Sequence, residues 1–375
     1  MAADNVKSSV AGRIYSFLYH STGFCSRQTL ARELGLSMPT VYQNLAKLMK
    51  LGLVCESGEQ LSTGGRKASG LSIAARARTA VGISVTEHNL RLVASDLLLD
   101  ELAYREIPIR AGLAFSGSEK LLSGALESFL DDNGIDRSRL LGVGIAIPAV
   151  MSPDTRRITA APTLHLRDVS IDGLTEHIPY PTYVENDATC SGYAEWFVRS
   201  SPGDMAYLSL ENGVGGAILF GGRPYSGDNR RSAEFGHMCI EPGGLECTCG
   251  KQGCLESYCS PRRIQNVFGV TLEDFFAVLE QRGPGYLEYS ALWENMLRHL
   301  ALGVHNIRMA LDCDVVLGGR LREFLPPYLP RLKEYVAGAD PFNPDAEYLQ
   351  LSALRRHAVP LGVALHFVVD FINQI

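Results

Sequence analysis

The chain has 375 residues, which is more than one ordinary domain and enough for two or three domains that bury cores without disulfides. Hydrophobic residues make up 46 % and charged residues 20 %, a composition that excludes an intrinsically disordered chain. No stretch approaches the roughly 18 uninterrupted apolar residues of a membrane-spanning helix, and residues 1–10 lack the apolar segment of a secretory signal. We therefore expect a soluble, cytoplasmic protein that has no contact with a membrane.

Charge is divided unequally along the chain. Residues 1–80 hold ten Lys and Arg against four Asp and Glu, whereas residues 81–375 hold 25 against 37. A basic segment attached to an acidic body is typical of a protein in which only the first part meets a polyanion such as DNA. Chance asymmetry on solvated surfaces is the alternative, and a motif has to decide between them.

The basic segment has the pattern of a helix-turn-helix. Residues 27–34 are predicted to form a short amphipathic helix that ends at Gly35. A second helix should begin at Ser37, a good N-cap residue, with Pro39 in its first turn. The inward face of this helix would hold Val41, Leu45 and Leu48.

The outward face of the second helix supplies the residues expected at DNA. The first turns of a recognition helix enter the major groove, so Thr40 and Gln43 are placed at base edges, with Ser37 beside them. Lys47 is expected at a phosphate, and Asn44 is predicted to point outward as well.

A hairpin should follow and complete a winged helix within residues 1–78. Its strands are expected at 54–56 and 68–73, and its tip carries Arg66 and Lys67, which suit phosphates or a narrow minor groove. A helical protein–protein module is the alternative interpretation of this segment.

From residue 79 onward, short β-branched runs alternate with helical stretches. This alternation predicts an α/β body with mixed sheets, divided into lobes at 79–190 and 191–375, in which a closing helix from about residue 357 could pack back on the first lobe. Strands are predicted at 81–85, 90–97, 141–147, 182–184, 205–210, 214–220 and 314–317, and further helices at 119–130 and 292–311.

Three cysteines and a histidine form the sharpest local pattern. Cys247, Cys249 and Cys254 lie within eight residues of one another, ten residues after His237. Three thiols and one imidazole are the ligands of a closed, structural zinc site, and the glycines between the thiols permit the tight loop that it needs. The alternative is reduced cysteines that bind no metal. Two further cysteines, Cys239 and Cys259, do not fit the pattern and are interpreted as small core residues.

Acidic and amide side chains follow the predicted strand at 182–184. Asn186 and Asp187 stand at its carboxyl end, where α/β proteins place ligands, and such side chains suit the hydroxyl groups of a polyol. Glu234, His237 and Glu256 could join them from the segment around the thiols. Taken singly, an acidic residue in a loop is more often solvated surface.

Together these parts resemble the ROK family, named for repressors, open reading frames and kinases, over nearly the whole chain. The segment 247–256 is similar to the family's zinc signature, and Glu234-Phe235-Gly236-His237 is similar to its Glu-x-Gly-His sugar motif. Residues 185–188 resemble the family's sugar-binding stretch, whose aspartate, here Asp187, is the catalytic base of the kinases.

The resemblance also implies a fold and a branch of the family. Residues 142–148, 213–216 and 316–319 resemble landmarks of the actin-like (ribonuclease H-like) sugar-kinase fold, which has two lobes. The winged helix-turn-helix resembles the repressor branch, whose members sense a sugar or sugar phosphate and bind operator DNA.

Departures from the family pattern argue against catalysis. Where the kinases carry Asp-x-Gly-Gly-Thr, residues 84–88 read Ser-Val-Thr-Glu-His, which removes a carboxylate and the glycines whose N–H groups approach phosphates. Glu211 and Asn212 replace a phosphate-binding Gly-Thr pair, and Ala149 replaces a glycine near the sugar.

The sequence thus predicts a sugar-responsive transcription regulator, in the first place a repressor, whose kinase-like cleft binds a sugar or sugar phosphate without catalysis. Because one recognition helix covers few base pairs, we expect a homodimer or tetramer on an imperfectly palindromic operator. Two alternatives stay open: an ATP-dependent kinase of hexoses or N-acetylhexosamines with Asp187 as base, and a DNA-binding scaffold that has lost its ligand.

Overall fold

The structure is a computed structural model that describes residues 9–21, 25–59, 69–109, 119–199, 203–354 and 356–375. The two basic residues predicted at the tip of the wing, Arg66 and Lys67, lie outside these ranges. The helices are α1 (Val10–His20), α2 (Arg27–Leu34), α3 (Met38–Lys50), α4 (Glu119–Asp132), α5 (Asp172–Thr175), α6 (Asp187–Val198), α7 (Leu255–Cys259), α8 (Pro261–Phe268), α9 (Leu272–Gln281), α10 (Tyr286–Leu311), α11 (Leu329–Ala339) and α12 (Ala358–Asn373). The strands are β1 (Val54–Glu59), β2 (Ser69–Ile73), β3 (Thr79–Val85), β4 (Asn89–Ser95), β5 (Glu101–Pro108), β6 (Leu140–Ile147), β7 (Val150–Met151), β8 (Arg157–Ala161), β9 (Leu166–Ser170), β10 (Thr182–Asn186), β11 (Met205–Leu210), β12 (Val214–Phe220), β13 (Arg223–Pro224), β14 (Asp314–Gly318) and β15 (Leu349–Leu351).

The N-terminal unit consists of three helices and a hairpin. Gly35 ends α2 in the left-handed conformation (φ 64°), which glycine adopts without strain. The Ser37 hydroxyl accepts the N–H of Thr40 and caps α3, as the sequence predicts. Strands β1 and β2 pair antiparallel, from Val54 opposite Ile73. The unit thus has the helices and the hairpin that the sequence predicts for a winged helix, with α1 as an additional first helix.

Two lobes with the same strand plan follow. The first sheet has the order β10-β6-β3-β4-β5 and the second β13-β12-β11-β14-β15. In each sheet three strands adjacent in the chain pair antiparallel, and the remaining two add in parallel on the other side. Strands β7, β8 and β9 form a small separate sheet. The predicted two-lobed sugar-kinase architecture is present.

Helix α12 follows the last strand of the second lobe but packs on the sheet of the first. A Cβ atom on Gly82 of β3 would lie 1.7 Å from the carbonyl oxygen of Pro360, so the backbones of strand and helix are in contact only because this residue is glycine. Phe371 and Ile372 at the far end of α12, and Ile375 just beyond it, pack against the core of the N-terminal unit. The Ser9 hydroxyl also donates to the carbonyl of Ile375, at 2.8 Å.

Two predictions about single residues are wrong. Asn44 is buried, and its side-chain amide donates to the carbonyl of Thr40 one turn earlier in α3, so it does not point outward. Cys239 is exposed, whereas Cys259 is a core residue as expected. In the part of the chain that the structure describes, no helix is both long and apolar enough to cross a lipid bilayer.

Candidate functional site

A pocket opens between the two lobes at the carboxyl end of β10. The first lobe contributes the end of β10 and the start of α6, and the second contributes β12 and the loop at 224–234. Its polar lining includes Glu185, Asn186, Asp187, Arg230 and Glu234. Three of the five sugar-site residues predicted from the sequence, Asn186, Asp187 and Glu234, therefore lie together in one cavity.

Asp187 is the first residue of α6 and lies in a carboxylate-rich environment. Its carboxylate accepts the N–H of Ala188 at 2.8 Å. Burial, with a smaller contribution from the charge of Glu234, raises the pKa of Asp187 to about 6. Burial also raises the pKa of Glu211 to about 7, and the charge of Asp187 contributes. The site can therefore accept hydrogen bonds from hydroxyl groups, but it holds negative charge where a polyanion would need positive charge.

Asn186 has a structural task as well as a place in the pocket wall. Its Oδ1 atom accepts the N–H of Thr189 and caps α6, and its Nδ2 atom donates to the carbonyl of Ala149. Asn186 thus fixes the start of the helix that carries Asp187, and Nδ2 keeps one further N–H for a ligand.

An ion pair that the sequence reasoning missed forms another part of the wall. The Nη2 atom of Arg230 lies 2.5 Å from Oε1 of Glu185 and also contacts Oε2. Glu185 accepts two more hydrogen bonds, from the hydroxyl of Tyr183 and from the N–H of Asn186, each at 2.8 Å. The available signal was a pair of adjacent arginines, Arg230 and Arg231, just before Glu234 in an otherwise acidic body.

The His237, Cys247, Cys249 and Cys254 side chains converge, with all four ligand atoms within 4.8 Å of one another. The Sγ atoms of Cys249 and Cys254 are 3.7 Å apart, and Nδ1 of His237 is 3.7 Å from Sγ of Cys247. Thiolates about 2.3 Å from one ion at tetrahedral angles would stand ~3.8 Å apart. The two closest pairs thus have the separation expected around a four-coordinate ion, and the cluster could hold a metal.

His237 and Glu256, the other two predicted sugar residues, do not line the pocket. His237 belongs to the metal cluster. Glu256 lies on α7, directly after the thiol loop, and its carboxylate accepts the N–H of Val214 and the hydroxyl of Thr248. Burial raises the pKa of Glu234, and the nearby charge of Glu256 raises it further. Glu256 therefore connects the thiol loop to the start of β12, beside the pocket.

The outer face of α3 carries the residues predicted at DNA. Ser37, Gln43 and Lys47 are exposed, and Thr40 is half-buried with its hydroxyl bonded to that of Ser37 at 2.7 Å. Tyr42 lies on the same helix with 54 % of its surface exposed, and sequence reasoning missed it. The available signal was an aromatic side chain directly before Gln43 in the predicted recognition helix.

The hairpin between β3 and β4 is closed by its own side chain. The Thr86 hydroxyl donates to the carbonyl of Asn89 and accepts the N–H of the same residue. Glu87 lies 3.7 Å from Arg262 of α8 in the second lobe. The turn is therefore occupied by internal contacts and carries a carboxylate towards the other lobe.

Comparisons with known proteins agree with this architecture. Residues 113–361 match the ROK family. The xylose repressor of Bacillus subtilis (strain 168) is 26 % identical, and the match covers 93 % of this chain and 92 % of the repressor. The DNA-binding transcriptional dual regulator NagC of Escherichia coli (strain K12) is 27 % identical over 70 % of this chain and 65 % of the regulator.

Solved structures show the same fold. A ROK family transcriptional regulator described as a homolog of the E. coli MLC protein superposes with a TM-score of 0.75 at 20 % identity, covering 97 % of both chains. A ROK hexokinase from Thermus thermophilus superposes with a TM-score of 0.61 at 23 % identity and covers 78 % of this chain and 99 % of its own. Since the family match spans more than half of the chain and both lobes, this protein belongs to the ROK family.

Proposed function

We propose that this protein is a sugar-responsive transcriptional repressor that binds double-stranded operator DNA through α3 and a sugar in the pocket between the lobes. The observation that carries the proposal is the path of α12. This helix packs on the sheet that ends at the pocket, and its last apolar residues pack against the core of the N-terminal unit. A change of lobe position on ligand binding therefore has a rigid connection to the DNA-binding helices.

The DNA-binding role is supported by an exposed helix with polar residues at its start. Thr40 and Gln43 are on the first turns, which enter the major groove in helix-turn-helix proteins, and Lys47 is one turn further on. Ser37 borders the same face, and we expect Arg66 and Lys67 to reach phosphates from the wing. One such helix reads too few base pairs for specificity, so the proposal includes a homodimer or a larger symmetric assembly on a palindromic operator.

The sugar-binding role is supported by the hydrogen-bonding groups of the pocket. Carboxylates at Asp187 and Glu234 accept hydrogen bonds from hydroxyl groups, and Asn186 supplies a donor. His237 and Glu256 stand just outside this cavity, and we expect lobe closure to bring them towards the ligand. The relatives named as a xylose repressor and as an N-acetylglucosamine repressor support a monosaccharide as the effector.

We further propose that the four-residue cluster holds one structural zinc ion. The set of three cysteines and a histidine leaves no position for water or substrate, so the ion stabilises the loop and takes no part in chemistry. By fixing the loop, the ion also fixes Glu234 and Glu256, which precede and follow its ligands in the chain.

Two measurements test the proposed function. Thermal unfolding is followed with D-xylose, D-glucose, N-acetyl-D-glucosamine and the 6-phosphates of the last two; a ligand at about 100 times its Kd stabilises the folded state by roughly 2.7 kcal/mol. DNA selected from a random pool by the full-length chain is then titrated with protein, with and without the stabilising sugar. Selection of no common sequence, or stabilisation by none of the sugars, would contradict the proposal.

An ATP-dependent sugar kinase is the second candidate, because a carboxylate such as Asp187 against a sugar hydroxyl is a suitable general base. Most catalysis of phosphoryl transfer, however, comes from positioning and neutralising phosphate charge. The hairpin at 86–88 is closed on itself, and Glu211 places a further carboxylate near Asp187. A coupled assay with magnesium, ATP and the same sugars decides between the candidates, since kinases turn over at ~1–100 s⁻¹.

A further inference from the structure

Arg230 is a charged side chain in the wall of the pocket, held by a single carboxylate. It lies on the loop at 224–234 with a positive φ of 52°, and its guanidinium reaches across from the second lobe to Glu185 at the end of β10. Only 19 % of the Arg230 side chain and 10 % of the Glu185 side chain are exposed. The pair is therefore largely removed from water, and each charge depends on the other.

The position of the Glu185 carboxylate is fixed independently of Arg230. The hydroxyl of Tyr183 and the N–H of Asn186 both donate to it, and all three residues belong to β10. Both contacts of Arg230 with this carboxylate use the Nη2 atom, and Tyr183 is a further hydrogen-bond partner of the guanidinium, which has five N–H donors in all. Glu185 thus orients Arg230 and neutralises it, and the guanidinium still presents donors to the cavity that it lines.

The remaining charges of the pocket are negative. Among the described residues that line it, Arg230 is the only Lys or Arg, against Glu185, Asp187 and Glu234. Once Arg230 and Glu185 are counted as a neutral pair, Asp187 and Glu234 face the ligand without a cation. A phosphate group, with a charge of about −1.5 to −2 at neutral pH, would be repelled there, whereas a neutral hydroxyl group can donate to the carboxylates and accept from the guanidinium.

We propose that the Arg230–Glu185 pair makes the pocket selective for an uncharged sugar over the same sugar carrying a phosphate. The inference rests on the proposed function and narrows its effector to unphosphorylated sugars. Arg230 is the specificity-determining residue, because it donates to the sugar, and Glu185 is the positioning residue, because it cancels the charge that would otherwise hold an anion.

The test compares affinities by calorimetry for D-glucose, N-acetyl-D-glucosamine, their 6-phosphates and D-xylose. The wild-type protein should bind at least one uncharged sugar, and any phosphate ester at least tenfold more weakly than its parent. Arg230→Met should lower the affinity for the uncharged sugar by about 10- to 100-fold, which is the range for losing a hydrogen bond to a charged group. Glu185→Gln, which leaves Arg230 unneutralised, should shift the ratio of affinities at least tenfold towards the phosphate.

Arg231→Met is the matched control, because Arg231 is the exposed neighbour on the same loop and does not line the pocket. It should leave all affinities unchanged. If removal of one charge prevents folding, the double variant Arg230→Met with Glu185→Gln removes both charges. It should lower the affinity for the uncharged sugar without raising the affinity for the sugar phosphate.

The outcomes separate this inference from the proposed function. Tighter wild-type binding of a sugar phosphate than of its parent, or unchanged affinities in both single variants, would overturn the selectivity inference while leaving a sugar-binding protein. Binding of none of the five compounds by the wild type would overturn the proposed function and the inference with it.

Discussion

The ring of Tyr183 lies parallel to the imidazole of His366, with the ring centroids 3.6 Å apart. Tyr183 belongs to β10 and donates its hydroxyl to Glu185 in the pocket wall, whereas His366 belongs to α12. Five residues further along α12, Phe371 packs against the core of the N-terminal unit. One pair of stacked rings therefore joins the pocket strand to the helix that reaches the DNA-binding unit.

We predict that His366→Ala weakens the coupling between sugar and DNA. Coupling between two sites is typically about 5- to 150-fold in affinity, and the variant should reduce it several-fold while changing sugar affinity by less than about twofold. Operator affinity is measured with and without saturating sugar. His299→Ala is the control. His299 of α10 also stacks on a tyrosine, Tyr258 of α7, but this pair lies outside β10 and α12. Equal coupling in wild type and His366→Ala would contradict the predicted route.

Two substitutions on α3 should have different effects on DNA binding. Gln43→Ala should cost about 1–3 kcal/mol and relax specificity at one base step, because a side chain at a base edge reads sequence. Lys47→Ala should weaken binding to all sequences alike and reduce the salt slope by about 1. Titrations of selected and scrambled DNA at several salt concentrations check both. If instead Gln43→Ala weakened binding to all sequences alike and Lys47→Ala relaxed specificity, α3 would enter the groove in another orientation.

Metal content should be one zinc ion per chain. Cys249→Ser removes one of the four ligands, and it should lower the metal content, the melting temperature and the response to sugar together. Elemental analysis of protein purified without added metal measures the first, and thermal unfolding the second. The matched control is Cys239→Ser, an exposed cysteine outside the ligand set. Metal-free wild-type protein that still folds and responds to sugar would refute the zinc assignment.

Sugar affinity should depend on pH through Asp187. The pKa of this carboxyl is raised to about 6 by burial, and protonation removes its negative charge and part of its acceptor capacity, so affinity should rise about tenfold from pH 5 to 7. Calorimetry across this range measures the rise. A flat profile would mean that Asp187 does not bind the sugar in its ionised form.

The stability of the sugar-free protein should show the opposite trend. Because the folded state binds the Asp187 proton more tightly than the unfolded state does, the folded state loses stability as pH rises from the ordinary value of 3.8 to about 6. The loss from this group is about 2–3 kcal/mol at 1.36 kcal/mol per pH unit. Asp187→Asn removes this contribution, so denaturant unfolding of the variant should show a flatter pH profile.

The parts of the fold that the sequence predicted are those with clear periodicity. The helix at α3 has a regular apolar stripe and a capping serine, and the central strands of both sheets are fully buried and mostly apolar. Helix α6 was missed because it has no polar face. Half of its residues are buried, and most of the buried ones are small. Neither helical periodicity nor length therefore marks the helix in the sequence.

The site was predicted in part, for a related reason. Asp187 and Glu234 lie in motifs that a resemblance can identify, and the metal ligands are close together in sequence. Arg230 is 45 residues from Glu185, and only the fold brings these two side chains together. The burial of Asn44 and the exposure of Cys239 likewise depend on packing between elements, which residue type alone does not determine.

Helices α6 and α12 follow equivalent strands of the two lobes, and they cross at Gly362. A Cβ atom at this position would lie 1.9 Å from the carbonyl oxygen of Cys190, so the crossing is a contact of backbone against backbone. Side chains of the two helices pack on either side of this contact, for example Cys190 of α6 against Val363 of α12. We expect the lobes to turn about this crossing as a pivot, so that a small rotation at Gly362 becomes a larger displacement at the distant end of α12, where the N-terminal unit is attached.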